Sequence, residues 1–198
     1  MQVGTYGFGA HYFQPFGAGQ QFGVRLGIGF MPIKTSLSGN YGGRDTESDV
    51  KASFNNADLH FSWFPLKSQD NFLQYFTINA GAVYLFKLEG EGTTRLKEGY
   101  QMGDIMISPE DVGVIKTTVD WERKVNPAVG LGFNNIRLNS NLALSANLGC
   151  AFLSSPKVSM EANGLLANNT GNTAIIEENM KNYKYLPKLE VGISYLIR

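Results

Sequence analysis

His60 and Ser62 stand two residues apart around Phe61. On a strand this spacing puts an imidazole base and a hydroxyl nucleophile on one face, the pairing that acyl hydrolysis requires. Asp58 shares that face, but a carboxylate on the same strand reaches the imidazole poorly. Charged residues recur on comparable rows elsewhere, as Arg25, Lys87, Glu89, Lys188 and Glu190. With Asp58 and His60 they make a candidate charge cluster, to be read either as an ion path or as a network of salt bridges. Metal chemistry finds no support. His11 and His60 lie far apart, Cys150 is the only thiol, and Asp104, Glu110, Asp111 and Asp120 lack calcium-loop spacing. The Gly-x-Gly pairs at Gly7, Gly27 and Gly130 are followed by no helix start and are not phosphate loops. No cofactor is expected.

The elements that must position these groups are strands. Pro187, Leu189, Val191, Ile193, Tyr195 and Ile197 form one apolar row, opposed by Lys188, Glu190, Gly192, Ser194, Leu196 and Arg198. The same alternation recurs along the chain. Tyr6, Phe8, Ala10 and Tyr12 oppose Thr5, Gly7, Gly9 and His11, and Phe22 to Phe30 oppose Gln21 to Gly29. Leu59, Phe61 and Trp63 oppose Asp58, His60 and Ser62. Phe76, Ile78, Ala80, Ala82, Tyr84, Phe86 and Leu88 face away from Thr77, Asn79, Gly81, Val83, Leu85, Lys87 and Glu89. A further row runs from Val119 through Trp121, Val125 and Val129 to Phe133, and another from Leu142 to Phe152, with a possible continuation through Pro156, Lys157 and Val158. Short connections at residues 14–20, 65–71 and 134–141 alternate strictly with long polar ones at 37–49, 90–118 and 159–183, of which residues 173–183 have helix-like composition.

This pattern predicts an all-β fold: a closed antiparallel up-and-down transmembrane barrel of about eight strands, forming a single domain over residues 1–198. Charged residues make up 17% of the chain, against about 25% in soluble domains. The second row is mainly Gly, Ser, Thr, Ala and Asn, too weakly charged for a soluble exterior but suited to a cramped lumen. Aromatic residues gather near strand ends, as at bilayer interfaces. Lys+Arg and Asp+Glu balance at 17 each, which gives no case for a nucleic-acid partner. No apolar run is long enough for a transmembrane helix. The start at Met1-Gln2-Val3 carries no signal-peptide pattern, so a barrel would have had its export signal removed. The first strand runs toward a short turn and the last one ends at a short turn. Seven strands are therefore visible, and an even-numbered barrel needs one more, before Met1 or unread within the chain.

Several scaffold pieces carry a resemblance. Residues 3–10 (Val-Gly-Thr-Tyr-Gly-Phe-Gly-Ala), 126–133 (Asn-Pro-Ala-Val-Gly-Leu-Gly-Phe), 155–158, and 185–187 with 192–195 are similar to those of small Gram-negative outer-membrane barrels, and the architecture resembles the OmpA/OmpX/OmpW-like group. That resemblance implies the cell outer membrane as location, and outer-membrane lipids, lipopolysaccharide and the barrel assembly machinery as partners of a monomer. Such barrels usually end in an aromatic residue that the assembly machinery reads, where this sequence has Ile197-Arg198. The His-x-Ser motif resembles that of lipid A deacylases, but both side chains are expected to face the lumen, away from lipid. The chain is therefore expected not to be an enzyme, and to have no catalytic residues. Its expected role is structural or surface interaction around a mostly filled polar lumen. The alternatives are a narrow pore for small solutes and a lipid A-directed acyl hydrolase.

Overall fold

Period-two alternation fixes the faces of each strand, and a sheet with one apolar face must either cover it or close. Here it closes. The computed structural model describes residues 1–41 and 43–195. Its strands are β1 (Gln2–Gly4), β2 (Gly7–Phe16), β3 (Phe22–Tyr41), β4 (Arg44–Trp63), β5 (Phe76–Leu96), β6 (Tyr100–Met102), β7 (Ile105–Ile107), β8 (Val114–Asp120), β9 (Val125–Arg137), β10 (Leu142–Phe152), β11 (Lys157–Ala162) and β12 (Tyr185–Tyr195). Helix α1 (Pro109–Val112) precedes β8, and α2 (Thr173–Met180) lies in the last long connection. Eight strands form the ring β1-β2-β3-β4-β5-β9-β10-β12, antiparallel throughout, and β12 returns to β1.

The eighth strand is the one the sequence pattern hides. The alternation read from Thr5 through Tyr12 conceals a turn: Thr5 and Tyr6 reverse the chain, with Gly7 at φ +90°, a conformation open to glycine. Val3 then pairs with both Phe8 and Val191. Met1 and Ile193 exchange backbone hydrogen bonds of 2.8 and 2.9 Å, so both ends of the described chain meet at the short-turn end. The terminal Ile197-Arg198 lies outside the described residues.

Three strands outgrow the ring. Above the barrel, β5 leaves β9 after Tyr84 and pairs with β8 from Glu89 to Arg95, while β8 pairs with β11. The result is an outer sheet in the order β3-β4-β5-β8-β11. Much of residues 37–49 and 90–118, expected as loops, is therefore strand. The row expected from Val119 to Phe133 is two strands, β8 in the outer sheet and β9 in the barrel, with the break at residues 121–124. There Trp121 Nε1 donates to the Tyr183 carbonyl at 3.1 Å. Likewise β10 stops at Phe152 and does not run on into β11. The helix expected in residues 173–183 is α2.

Burial is inverted relative to a water-soluble protein. Leu148 is 62% exposed and Glu190 only 3%. Leu26, Leu59, Leu131, Val191 and Ile193 likewise face outward, while Asn56, Thr77, Asn126 and Ser62 are buried.

Candidate functional site

Among the described residues the barrel interior holds two polar networks, an apolar layer toward the outer sheet, and Phe64 buried against Phe13 at the short-turn end. Arg25 comes from β3, Asp58 and His60 from β4, and Lys188 and Glu190 from β12, all inward positions of the alternation. The Arg25 guanidinium holds the Glu190 carboxylate with two bonds, Nη1–Oε1 at 2.5 Å and Nη2–Oε2 at 2.9 Å, the fork geometry in which Arg binds carboxylates most strongly. Its Nη2 also reaches Asp58 Oδ1 at 3.3 Å. Lys188 Nζ lies 2.9 Å from Glu190 Oε2 and 3.8 Å from Asp58 Oδ2. Two cations meet two anions, so the buried charges cancel without His60. Gly27 makes the space: a Cβ there would stand 2.5 Å from Asp58 Oδ2.

Lys87 and Glu89 do not join this cluster. They lie 4.0 Å from each other with side chains 50% and 43% exposed. A β-bulge turns them outward. Asn55 pairs with Lys87 but Asn56 with Leu85, so Phe86 is an extra residue on β5. A one-residue slip turns every later side chain to the other face. Leu88 then packs against the buried core in place of Lys87.

The second network consists of amides and hydroxyls on β4, β5, β9 and β10. Asn134 Nδ2 donates to Thr77 Oγ1 at 2.7 Å and to Asn147 Oδ1 at 3.0 Å, and Asn147 Nδ2 donates back to Asn134 Oδ1 at 3.1 Å. Ser62 Oγ donates to Asn79 Oδ1 at 2.6 Å. The hydroxyl is thus committed to an amide. His60 Nε2 lies 3.5 Å from Asp58 Oδ1, and neither ring nitrogen has a hydrogen-bond partner among the described residues. Base and nucleophile share a face but are not coupled.

Toward the outer sheet the lumen becomes apolar, with Tyr6, Phe54, Val83, Leu85, Ala151 and Leu153 packed together. Tyr6 was expected in the outward row with Phe8. As the tip of the β1–β2 hairpin it turns inward instead, its ring 4.8 Å from Phe54 and its hydroxyl donating to the Leu186 carbonyl at 3.0 Å. A small cavity is bordered by Tyr6, Arg25, His60, Asn79 and Lys188 and by Val129 and Leu148 of the barrel wall. At the short-turn end a vestibule of about 740 Å³ is lined by His11, Gln14, Gln20, Arg137 and Ser194. Near its floor, His11 binds Gln2 Oε1 at 2.9 Å and Ser194 Oγ at 2.8 Å.

No protein-family model and no curated protein matches the sequence. Among solved structures, the chain is similar to the crystal structure of Acinetobacter baumannii CarO, at 22% identity and a TM-score of 0.68, over 99% of this chain and 95% of that one. It is also similar to Acinetobacter baumannii CarO2, at 21% identity and a TM-score of 0.68, over 98% of this chain and 95% of that one. The likeness is one of fold: a closed, antiparallel, eight-stranded β-barrel with a short helix before its last strand.

Proposed function

We propose that this chain is an integral outer-membrane barrel whose lumen is plugged and whose outer sheet meets the surroundings, a structural or surface-interaction role. The observation that carries it is the inversion of burial: the ring strands turn Leu, Ile, Val and aromatic side chains outward and enclose Arg25, Asp58, Lys188 and Glu190. Water would reject such an exterior and lipid accepts it. The closed eight-stranded fold shared with the two Acinetobacter structures supports this reading, and the architecture resembles the OmpA/OmpX/OmpW-like group. Lipopolysaccharide and neighbouring lipids would coat the apolar belt of a monomer inserted by the barrel assembly machinery. A non-enzymatic role is supported by Ser62, whose proton is engaged by Asn79 within the barrel. An ion path or pore is disfavoured because Arg25 and Lys188 are bound to Glu190 and Asp58 across the lumen, and a packed apolar layer follows.

Purified protein in detergent should migrate as a compact species on gels when unboiled and shift on heating. In planar bilayers it should conduct at background level. A chain that is soluble and monomeric without detergent refutes the membrane reading, and steady single-channel steps refute the plug.

A further inference from the structure

The outer sheet carries a cavity of about 410 Å³ unrelated to the lumen. Leu96 of β5 and Ile115 of β8 form its floor, and Val112, Leu165 and Leu166 lie over them. The sheet places these residues together because Thr46 pairs with Leu96 and Thr94 with Ile115, which sets the four side chains on one face. Val112, at the end of α1, is buried, whereas Leu165, in the connection between β11 and α2, is 58% exposed. The volume falls within the range typical of small-ligand pockets.

One cation stands at its mouth. Arg44, the first residue of β4, lies with its guanidinium carbon 4.0 Å from the centre of the Tyr100 ring. This cation–π contact uses the face of the ring and no hydrogen-bond acceptor, so the guanidinium keeps its N–H donors. Arg95 also borders the cavity, but its guanidinium is taken by Glu47 at 2.8 Å and Asp49 at 3.4 Å. Arg44 has no ion-pair partner among the described residues. Nearby Asp45 accepts a hydrogen bond from Asn40 Nδ2 at 3.0 Å.

We propose that this cavity binds a small amphipathic carboxylate, its apolar body between the sheet and Leu165–Leu166 and its carboxylate on the N–H edge of Arg44. The fit is one of charge and polarity: a single available guanidinium and aliphatic walls, with the Thr46 and Thr94 hydroxyls already bonded to the Gly39 carbonyl and to Ser48. A neutral apolar molecule would leave the cation unused. A dianion would bring a second charge against a wall whose other cation, Arg95, is already paired with Glu47 and Asp49.

The proposal deepens the surface-interaction reading and rests on it, and the two fail separately. The full chain in nanodiscs of zwitterionic lipid is titrated calorimetrically with 2-naphthoate and with its neutral counterpart 2-naphthamide, against empty nanodiscs. Naphthoate should bind at submillimolar concentration and at least about tenfold more tightly than the amide, the difference one charge-assisted contact confers. Arg44→Gln should abolish that preference while leaving naphthamide unchanged. Leu165→Asp, at an exposed position, should weaken naphthoate more than naphthamide. Equal affinity for the two probes, no binding of either, or full preference in Arg44→Gln overturns the proposal. A chain that does not enter nanodiscs refutes the membrane reading instead.

Discussion

At the scale of the residue, the governing fact is that four charges are buried and cancel. Removing one partner strands the others in a medium that solvates them poorly, which costs about 3–5 kcal/mol for a buried pair. Glu190→Gln leaves both Arg25 and Lys188 short of a carboxylate and should lower unfolding stability by about that amount, measured by urea titration in lipid vesicles. Arg25→Met combined with Glu190→Met should lose less than the sum of the two single changes, because the double variant strands fewer charges. A double variant that is strictly additive would mean the two residues do not act as a pair. The five members Arg25, Asp58, His60, Lys188 and Glu190 were legible because period two alone assigns them inward. Lys87 and Glu89 were not. Phe86 and Leu88 are both apolar, so the pattern reads equally well with or without a bulge between them, and only the pairing with Asn55 and Asn56 reveals it. The amide network escaped for another reason. Asn134 and Thr77 are 57 positions apart, and their meeting depends on the stagger of the closed ring, which no local pattern encodes.

At the scale of the element, polarity misled where strands extend beyond the closed ring. Residues 37–49 lack a uniformly apolar face, so alternation is silent there, yet β3 and β4 continue as a ladder from Phe22↔Trp63 up to Tyr41↔Arg44. Cross-strand polar pairs take the place of the apolar signal, among them Ser36 to Asp49 at 2.5 Å, Ser48 to Thr94 at 2.8 Å and Lys116 to Glu91 at 3.0 Å. The attachment of α2 to this sheet is more delicate. The Glu177 carboxylate accepts the Val158 backbone N–H at 3.1 Å and stands 3.5 Å from Lys157 Nζ. The N–H bond, followed by the lysine charge, holds the carboxyl below the usual range. A depressed folded pKa means the contribution is complete above the ordinary glutamate pKa and is lost as pH falls through the folded value. Protease cleavage near residues 164–180 should therefore rise on acidification below about pH 4, and Glu177→Gln should show the raised cleavage already at neutral pH. A cleavage rate in Glu177→Gln equal to wild type at both pH values would remove this carboxylate as the fastening.

At the scale of the whole molecule, the lumen is sealed twice in series. From the short-turn end, a vestibule narrows to the layer of charges and amides, and beyond it Tyr6, Phe54, Val83 and Leu85 form an apolar layer beneath the outer sheet. The outer seal depends on the chain's first turn, since the β1–β2 hairpin that supplies the eighth strand also drives Tyr6 into the interior. Emptying that position should cost about 3–5 kcal/mol, as large aromatic-to-alanine changes in packed cores do. Conduction follows different arithmetic, because seals in series block independently. Tyr6→Ala should stay at background conductance, since ions still meet the Arg25–Glu190 pair. Arg25→Ala with Glu190→Ala should also stay there, since the apolar layer excludes ions. Only the triple variant breaches both barriers, taking Tyr6 from one and the Arg25–Glu190 pair from the other, and it alone should show single-channel steps in planar bilayers. Steps in Tyr6→Ala alone would mean that the charge layer is permeable and that the barrel is a narrow pore closed by a single aromatic ring.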